Sequence, residues 1–176
     1  MTENLLYSCR ILTATVFMKV FFTVSESPLL SYIFFTLVLF FFRKDIDLLG
    51  EIKKQLPLKK AVIFIPLFLI FSFVLSALFP TGNPIPEKNF MNAIFIVVLG
   101  PLYEEMFFRK LLTKGLGRAS APFVSSVIFG LFHDFDLFPS AFFAGLALYL
   151  IYKLSGGIKL PFVAHLLNNV LALIFN

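Results

Sequence analysis

Six polar side chains that could take part in chemistry lie in otherwise apolar runs of the carboxyl-terminal half of the sequence. They are Glu104, Glu105, Arg109, His133, His165 and Asn169. An ionisable residue inside a membrane-spanning helix costs about 2.5 kcal/mol or more, so each one is a functional hypothesis. Together they offer a carboxylate acid or base, two imidazoles and an amide donor, the groups that acyl transfer to water requires.

The two adjacent glutamates are expected to have different tasks. Glu105 and Arg109 are four residues apart, so in a helix they share a face and can form an ion pair. Glu104 is turned about 100° away from Glu105 and can face another element. We therefore predict a structural role for Glu105 and a chemical one for Glu104. The alternative is a frayed helix end near the lipid headgroups, with Arg109 extending toward water.

Pro101 lies one turn before Glu104 and directly follows Gly100. Proline removes a backbone donor, so the helix is expected to kink here and the carbonyl of Val97 to lose its usual partner. Such a break would let water approach Glu104.

The chain has 2 histidines, and both fall in apolar runs. His133 follows Phe129 by four residues, and Asn169 follows His165 by four, so each pair shares a helix face. The alternative for His133 is a core histidine whose polar atoms are satisfied locally. For His165 and Asn169, the alternative is a pair that joins neighbouring helices, worth roughly 0.6 to 2 kcal/mol.

Composition places these residues in a membrane. The chain has 176 residues, of which 59% are hydrophobic, and its mean hydropathy is +0.93. We predict an all-α polytopic transmembrane helix bundle and a single integral membrane domain over residues 1–176. The 15 basic residues outnumber the 10 acidic ones, but they gather at helix ends, which indicates membrane topology and not nucleic-acid binding.

Seven apolar stretches are predicted to span the membrane, or six if the first lies at the interface. They are Leu5–Val24, Pro28–Phe42, Ala61–Phe79, Phe90–Leu112, Ala121–His133, Pro139–Leu154 and Leu160–Phe175. Basic residues in the connections after the second, fourth and sixth stretches fall on one side, which is expected to be cytoplasmic. A proline-rich turn is predicted over Pro80–Pro86.

Three motifs, in order, resemble those of the CPBP family of CAAX proteases and bacteriocin-processing enzymes. The first is Glu104 and Glu105 with Arg109, preceded by Pro101; the second is Phe129 with His133; the third is His165 with Asn169. The resemblance covers residues 90–175, a CPBP-like catalytic core. One departure is Lys110, where many members of the family have glycine; it is expected to add a cytoplasmic charge without touching the chemistry.

The resemblance implies an intramembrane endopeptidase that cuts a membrane-anchored peptide or protein, in CAAX-type or bacteriocin processing or in self-immunity. In that role Glu104 and His133 would activate a water, and His165 and Asn169 would stabilise the oxyanion. Glu105 and Arg109 would support Glu104. No metal or other cofactor is expected, and the lysine- and phenylalanine-rich composition favours a bacterial cell membrane.

Three alternatives remain open at the level of sequence. A zinc peptidase could use Glu104, His133 and His165 as ligands, although the usual pair of histidines flanking a glutamate on one helix is absent. A small ion-coupled transporter could use the same ionisable residues, although no internal repeat is visible. A non-catalytic scaffold or immunity protein would bind partners through its helices. The sequence does not specify the oligomeric state.

Overall fold

The computed structural model describes residues 3–25, 27–80 and 90–175. These residues form helices joined by short connections, which confirms the predicted all-α bundle. The helices are α1 (Glu3–Val24), α2 (Pro28–Phe41), α3 (Leu48–Lys53), α4 (Leu58–Leu78), α5 (Phe90–Lys114), α6 (Ala121–Phe132), α7 (Phe138–Ser155) and α8 (Lys159–Phe175). Most of the proline-rich turn predicted over Pro80–Pro86 lies outside the described residues.

The seven predicted apolar stretches all contain a helix, but only four are long and apolar enough to cross a membrane. Those four are Leu6–Val24, Leu58–Leu78, Phe90–Lys114 and Phe135–Ser155. The first stretch is therefore of spanning length, and the other three are 10 to 17 residues long. At 1.5 Å per residue, the 12-residue α6 is about 18 Å long, short of the roughly 30 Å hydrocarbon layer. The predicted bundle of seven apolar helices is present, and the number of them that cross the membrane and their orientation stay predictions.

Local sequence explains where the amino-terminal helices begin. The Ser27 hydroxyl accepts from the backbone N–H of Leu30 at the start of α2, and Pro28 occupies the first turn, where its missing N–H costs nothing. The Asp47 carboxylate accepts from the N–H of Gly50, 2.9 Å away, and so caps α3. α3 belongs to the connection between α2 and α4, which this cap helps to fold.

α5 alternates between two helical geometries. Its α-helical turns are interrupted by two π-helical segments, Phe95–Leu99 and Met106–Leu111, which flank the α-helical Gly100–Glu105. Each π-helical segment rotates the residues that follow it relative to a regular α-helix. The second half of α5 is deeply buried: Phe107, Phe108, Arg109, Leu111 and Glu105 are all 0% exposed.

The buried hydrophobic residues form two clusters, which meet where α6 packs against α7 and where α8 packs against α5. One hydrophobic cluster joins α1, α2, α5 and α6 through Ile11, Met18, Phe35, Phe108 and Phe129. The other joins α4, α7 and α8 through Phe68, Leu148, Ile151, Leu160 and Ala164. α8 lies against both α4 and α5. The polar residues singled out from sequence lie at the junction of these two groups.

The turn that begins α8 is set by glycine. Gly156 ends α7 with a φ of +80°, a left-handed conformation that side-chain-bearing residues rarely adopt. Its N–H donates to the carbonyl of Tyr152, 3.0 Å away. The chain can therefore reverse within a few residues, and α8 returns against α7.

Candidate active site

Pro101 interrupts the backbone hydrogen bonding of α5 beside the polar residues. In the π-helical segment, the N–H of Gly100 donates to Phe95 five residues earlier. By the same spacing Pro101, which has no N–H, leaves the carbonyl of Ile96 without a helical donor. The side-chain amide of Asn169 donates to this carbonyl at 2.9 Å. The loss of a donor predicted for the Val97 carbonyl stays a prediction, and the π-helical spacing adds the Ile96 carbonyl.

α2 also contacts α5 at the turn that precedes Pro101. The Tyr32 hydroxyl on α2 donates to the carbonyl of Phe95 at 3.0 Å, and the two rings stack with centroids 4.7 Å apart. A side chain at Gly100 would place its Cβ 3.0 Å from that hydroxyl and 3.1 Å from the carbonyl. The glycine before Pro101 thus lets α2 approach α5 at the loosened turn.

Glu105 is the centre of a fully buried ionic cluster. Its Oε2 accepts from Arg109 Nε at 2.9 Å, and both side chains are 0% exposed. Its Oε1 is 3.2 Å from His165 Nδ1 on α8. The Arg109 guanidinium carbon lies 5.4 Å from the centre of the Phe129 ring, a cation–π distance. The predicted pairing of Glu105 with Arg109 is present, and the added contact with His165 ties α5 to α8.

Glu104 faces a different environment, as its position on the helix predicts. Its side chain is 27% exposed, and its Oε2 lies 3.8 Å from His165 Nε2. That distance is too long for a hydrogen bond, and Oε2 has no hydrogen-bond partner among the described residues. His165 therefore lies between the two glutamates, with one ring nitrogen toward each.

His133 lies just beyond α6 and not inside it, which corrects the predicted helix over Ala121–His133. The helix ends at Phe132, and His133 has extended backbone angles, φ −89° and ψ 170°. Its Nδ1 is 2.9 Å from the carbonyl of Phe129. A carbonyl can only accept, so Nδ1 carries the proton and, in the neutral ring, Nε2 is an acceptor.

A cavity of about 290 Å³ brings Glu104 and His133 together. Neither His165 nor Asn169 lines it. Its walls come from α1, α2, α5 and the end of α6, namely Phe22, Ser31, Tyr32, Phe35, Gly100, Tyr103, Glu104, Phe132 and His133. The carboxylate of Glu104 and the imidazole of His133 thus share a partly polar chamber between apolar helices.

Sequence reasoning missed the contribution of α2 to this chamber. Ser31, Tyr32 and Phe35 line it, and the hydroxyl groups of Thr36 and Tyr103 are hydrogen-bonded at 2.9 Å. The available signal was the set of hydroxyl groups at 31, 32 and 36 within a strongly apolar helix. Without a motif to match, these hydroxyls looked like ordinary helix residues.

Asn169 makes a contact with the backbone of α5 in addition to the role that the family resemblance implies. One N–H of its amide is used by the Ile96 carbonyl, which leaves the second available as a donor. Its side chain also lies near that of Asn168, with 3.5 Å between Nδ2 of Asn168 and Oδ1 of Asn169. Asn169 therefore supplies a donor to the Ile96 carbonyl and retains a second N–H beside it.

The described residues contain no group of three or more His, Cys, Asp and Glu side chains arranged to hold a metal ion. Glu104 and His165 are close to each other, and Glu104 and His133 share the cavity. Among the residues described, these three side chains do not form one ligand shell.

Comparisons with known proteins give the site its context. A family model described as "Type II CAAX prenyl endopeptidase Rce1-like" matches residues 86–171. The chain is 35% identical over 92 residues to the membrane-embedded CAAX protease MroQ of Staphylococcus aureus (strain USA300). That match covers 46% of this chain and 37% of the relative, so this chain spans well under two thirds of the relative's length. No solved structure matches the chain.

All six residues predicted for the site lie within the matched region, and the relative is a bacterial membrane protein. Together with the four helices of spanning length, this makes the chain an integral membrane protein. The resemblance seen in the three sequence motifs is thereby confirmed: residues 86–171 match the model of the Rce1-like, type II CAAX prenyl endopeptidases, which are part of the CPBP family.

Proposed function

We propose that this protein is an intramembrane endopeptidase that hydrolyses a peptide bond of a membrane-anchored peptide or protein. The observation that carries the proposal is the shared cavity of Glu104 and His133, beside a second glutamate that is fully neutralised by Arg109. A partly exposed carboxylate and an imidazole acceptor facing one chamber can hold a water between them and take its proton.

In the proposed reaction, a water in the cavity donates one hydrogen bond to Glu104 and one to Nε2 of His133. Glu104 takes a proton as the water oxygen attacks the carbonyl carbon of the substrate, and the C=O electrons move to the oxygen. The tetrahedral intermediate then collapses, the C–N bond breaks, and the amine leaves with the proton that Glu104 accepted. Hydrolysis thus returns the carboxylate to its starting state.

His165 and Asn169 are proposed to stabilise the oxyanion. Because Nδ1 of His165 faces Glu105, a donor role for Nε2 requires the imidazolium form, with a proton on each nitrogen. Asn169 would donate through the amide hydrogen that Ile96 does not use. Removing one preorganised donor of this kind costs about a hundred- to a thousandfold in kcat.

Glu105 and Arg109 are proposed to act as supports. The ion pair cancels the second negative charge beside Glu104, and the Glu105 contact orients the His165 ring. Without the Arg109 pairing, the adjacent carboxylates of Glu104 and Glu105 would repel each other in an apolar site, and one of them would bind a proton.

The experiment is cleavage of a panel of membrane-anchored peptides, prenylated and unmodified, by purified protein in lipid, with and without a chelator. The variant Glu104→Gln keeps the shape of the side chain and removes its charge. Asp45→Asn, an equivalent change on the connection before α3, is the matched control. The proposal expects wild type and Asp45→Asn to cut with chelator present, and Glu104→Gln to lose cleavage by at least about a thousandfold.

Other outcomes separate the alternatives. Cleavage that a chelator abolishes and zinc restores would replace water activation by Glu104 with metal chemistry. Full activity in Glu104→Gln would overturn the assignment of Glu104. A wild-type protein that cuts nothing in the panel would move the scaffold or immunity role ahead.

A further inference from the structure

Glu51 is a buried carboxylate on a short helix that links two apolar helices. It lies on α3, between α2 and α4, yet its side chain is only 2% exposed. Its Oε1 contacts Lys54 Nζ and Lys110 Nζ, each at 2.5 Å. Its Oε2 accepts from the backbone N–H of Ile158 at 3.0 Å. Three segments of the chain thus meet at one carboxylate.

These contacts join the two helices that carry the proposed catalytic residues. Lys110 belongs to α5, five residues after Glu105, and Ile158 directly precedes α8, seven residues before His165. The N–H of Ile158 is one of the donors that a helix start leaves unpaired, and a carboxylate there is also favoured by the helix dipole. Glu51 therefore caps α8 while holding α5 by an ion pair.

The surrounding turn closes tightly on Glu51. Lys54 Nζ also donates to the carbonyl of Gly156 at 2.8 Å. A Cβ on Gly157 would lie 2.9 Å from Glu51 Oε2 and 3.0 Å from Lys54 Cδ. The glycine turn before α8 is thus fitted to the carboxylate.

We propose that Glu51 is a positioning residue that keeps α8 in register with α5, and thereby places His165 against Glu104 and Glu105. Two contacts join these helices near the polar residues: Glu105 with His165 at 3.2 Å, and the Asn169 amide with the Ile96 carbonyl at 2.9 Å. Glu51 adds a third, about 8 Å along α5 and about 10 Å along α8 from the Glu105 contact. It is the contact that holds the amino-terminal end of α8 against α5, so its loss would let that end move.

Lys110 supplies the α5 side of this contact. Lys110 is 21% exposed and lies in the second π-helical segment of α5. The expectation that Lys110 only adds a cytoplasmic charge is therefore incomplete, because its ammonium is bound within the protein.

The test uses the fact that the chain has only 2 histidines. Full-length protein with isotope-labelled histidine, in lipid and with a chelator present, gives two sets of ring resonances that a His133→Gln sample assigns. We expect Glu51→Gln to shift the His165 resonances and to leave those of His133 in place. Asp45→Asn is the control, since Asp45 lies on the same connection and binds Lys114 at the end of α5, at 2.6 Å.

A second variant tests the proposal independently, in case Glu51→Gln does not fold. Gly157→Ala displaces the Glu51 carboxylate from the side of α8 without changing any charge. It should shift the His165 resonances in the same direction by a smaller amount. Unmoved His165 resonances in folded Glu51→Gln or in Gly157→Ala would overturn the proposal, as would an equal shift in Asp45→Asn.

The consequence for cleavage rests on the proposed function. If a substrate is found, Glu51→Gln should lower kcat about ten- to a hundredfold with little change in KM, since a misplacement near 1 Å has effects of this size. The resonance measurement needs no substrate. Failure to find cleavage would therefore count against the proposed function alone, and unmoved resonances in a cleaving enzyme would count against the positioning role alone.

Discussion

Two buried carboxylates, Glu105 and Glu51, are each paired with basic side chains, but the partners come from different parts of the chain. Each is almost completely buried, 0% and 2% exposed, and each is bound by two basic side chains. Glu105 finds Arg109 one turn away on its own helix and His165 on α8. Glu51 has Lys54 nearby, but its contacts with Lys110 and Ile158 join residues far apart in sequence.

Their surroundings differ more than their partners do. Arg109 is 0% exposed and has no route to water when its partner is lost. Lys110 and Lys54 are 21% and 45% exposed, so their flexible side chains can turn to solvent. Losing one partner in the central cluster therefore leaves an unpaired buried charge, whereas losing Glu51 leaves lysines that can reach water.

The largest effect is expected from breaking the central pair. Glu105→Gln leaves the buried Arg109 charge without its carboxylate, and breaking a buried pair on one side costs about 3 to 5 kcal/mol. The free energy of unfolding, measured in detergent or bicelles, should fall by that amount. The double variant Glu105→Gln/Arg109→Met should recover part of the loss, because no unpaired charge remains. A loss below about 1 kcal/mol for Glu105→Gln would contradict this view of the cluster.

A smaller loss is expected from Glu51→Gln. The amide keeps a hydrogen-bond acceptor for Ile158, and the two lysines can retreat to water, so we expect about 1 to 3 kcal/mol. The same unfolding measurement gives the comparison. A loss of unfolding free energy equal to that of Glu105→Gln would show that the lysines around Glu51 are as costly to leave unpaired as Arg109.

The stability that Glu51 contributes should depend on pH. Burial alone would raise the pKa of Glu51, but hydrogen bonds from Lys110, Lys54 and Ile158 outweigh it and hold the pKa below its ordinary value of 4.5. Because the folded-state pKa is lowered, the contribution is present above 4.5 and is lost as the pH falls through the lower folded-state value.

Unfolding measured on wild type and Glu51→Gln across this range tests the pH dependence. The difference in free energy of unfolding should be constant near neutral pH and shrink below about pH 4.5. A difference that stays constant down to pH 3 would show that the ionised carboxylate is not the stabilising species.

The smallest effect is expected at the more exposed pair on the same connection. Lys114 and Asp45 are 49% and 24% exposed, with 2.6 Å between Nζ and Oδ1. Exposed ion pairs contribute about 0.2 to 1 kcal/mol, so Asp45→Asn should change stability by no more than that. A larger loss would indicate that the whole connection, and not Glu51 in particular, holds α5.

Much of the site could be predicted because its signals are local. The spacing of Glu105 and Arg109 on one helix led directly to their pairing, and the 100° offset of Glu104 predicted that the two carboxylates face different surroundings. The apolar composition indicated helices in a membrane. Three motifs in order indicated the family, which the match over residues 86–171 then confirmed.

The errors came from geometry that residue spacing does not fix. The Ile96 carbonyl needs the Asn169 amide because α5 is π-helical before Gly100, and His133 leaves its helix because α6 ends one residue earlier. Three of the seven predicted helices are 10 to 17 residues long, because apolar composition does not set the length of a helix. The roles of Glu104, His133, His165 and Asn169 in catalysis stay predictions.

The sequence by itself determined the membrane setting, the family and the pairings within one helix, because hydropathy and helical periodicity act over a few turns. Only the tertiary structure decided that Tyr32 enters the cavity, that His165 lies between two glutamates, and that Glu51 joins α5 to α8. Those contacts join residues about 60 to 107 positions apart. They depend on how whole helices pack, a property that no local pattern encodes.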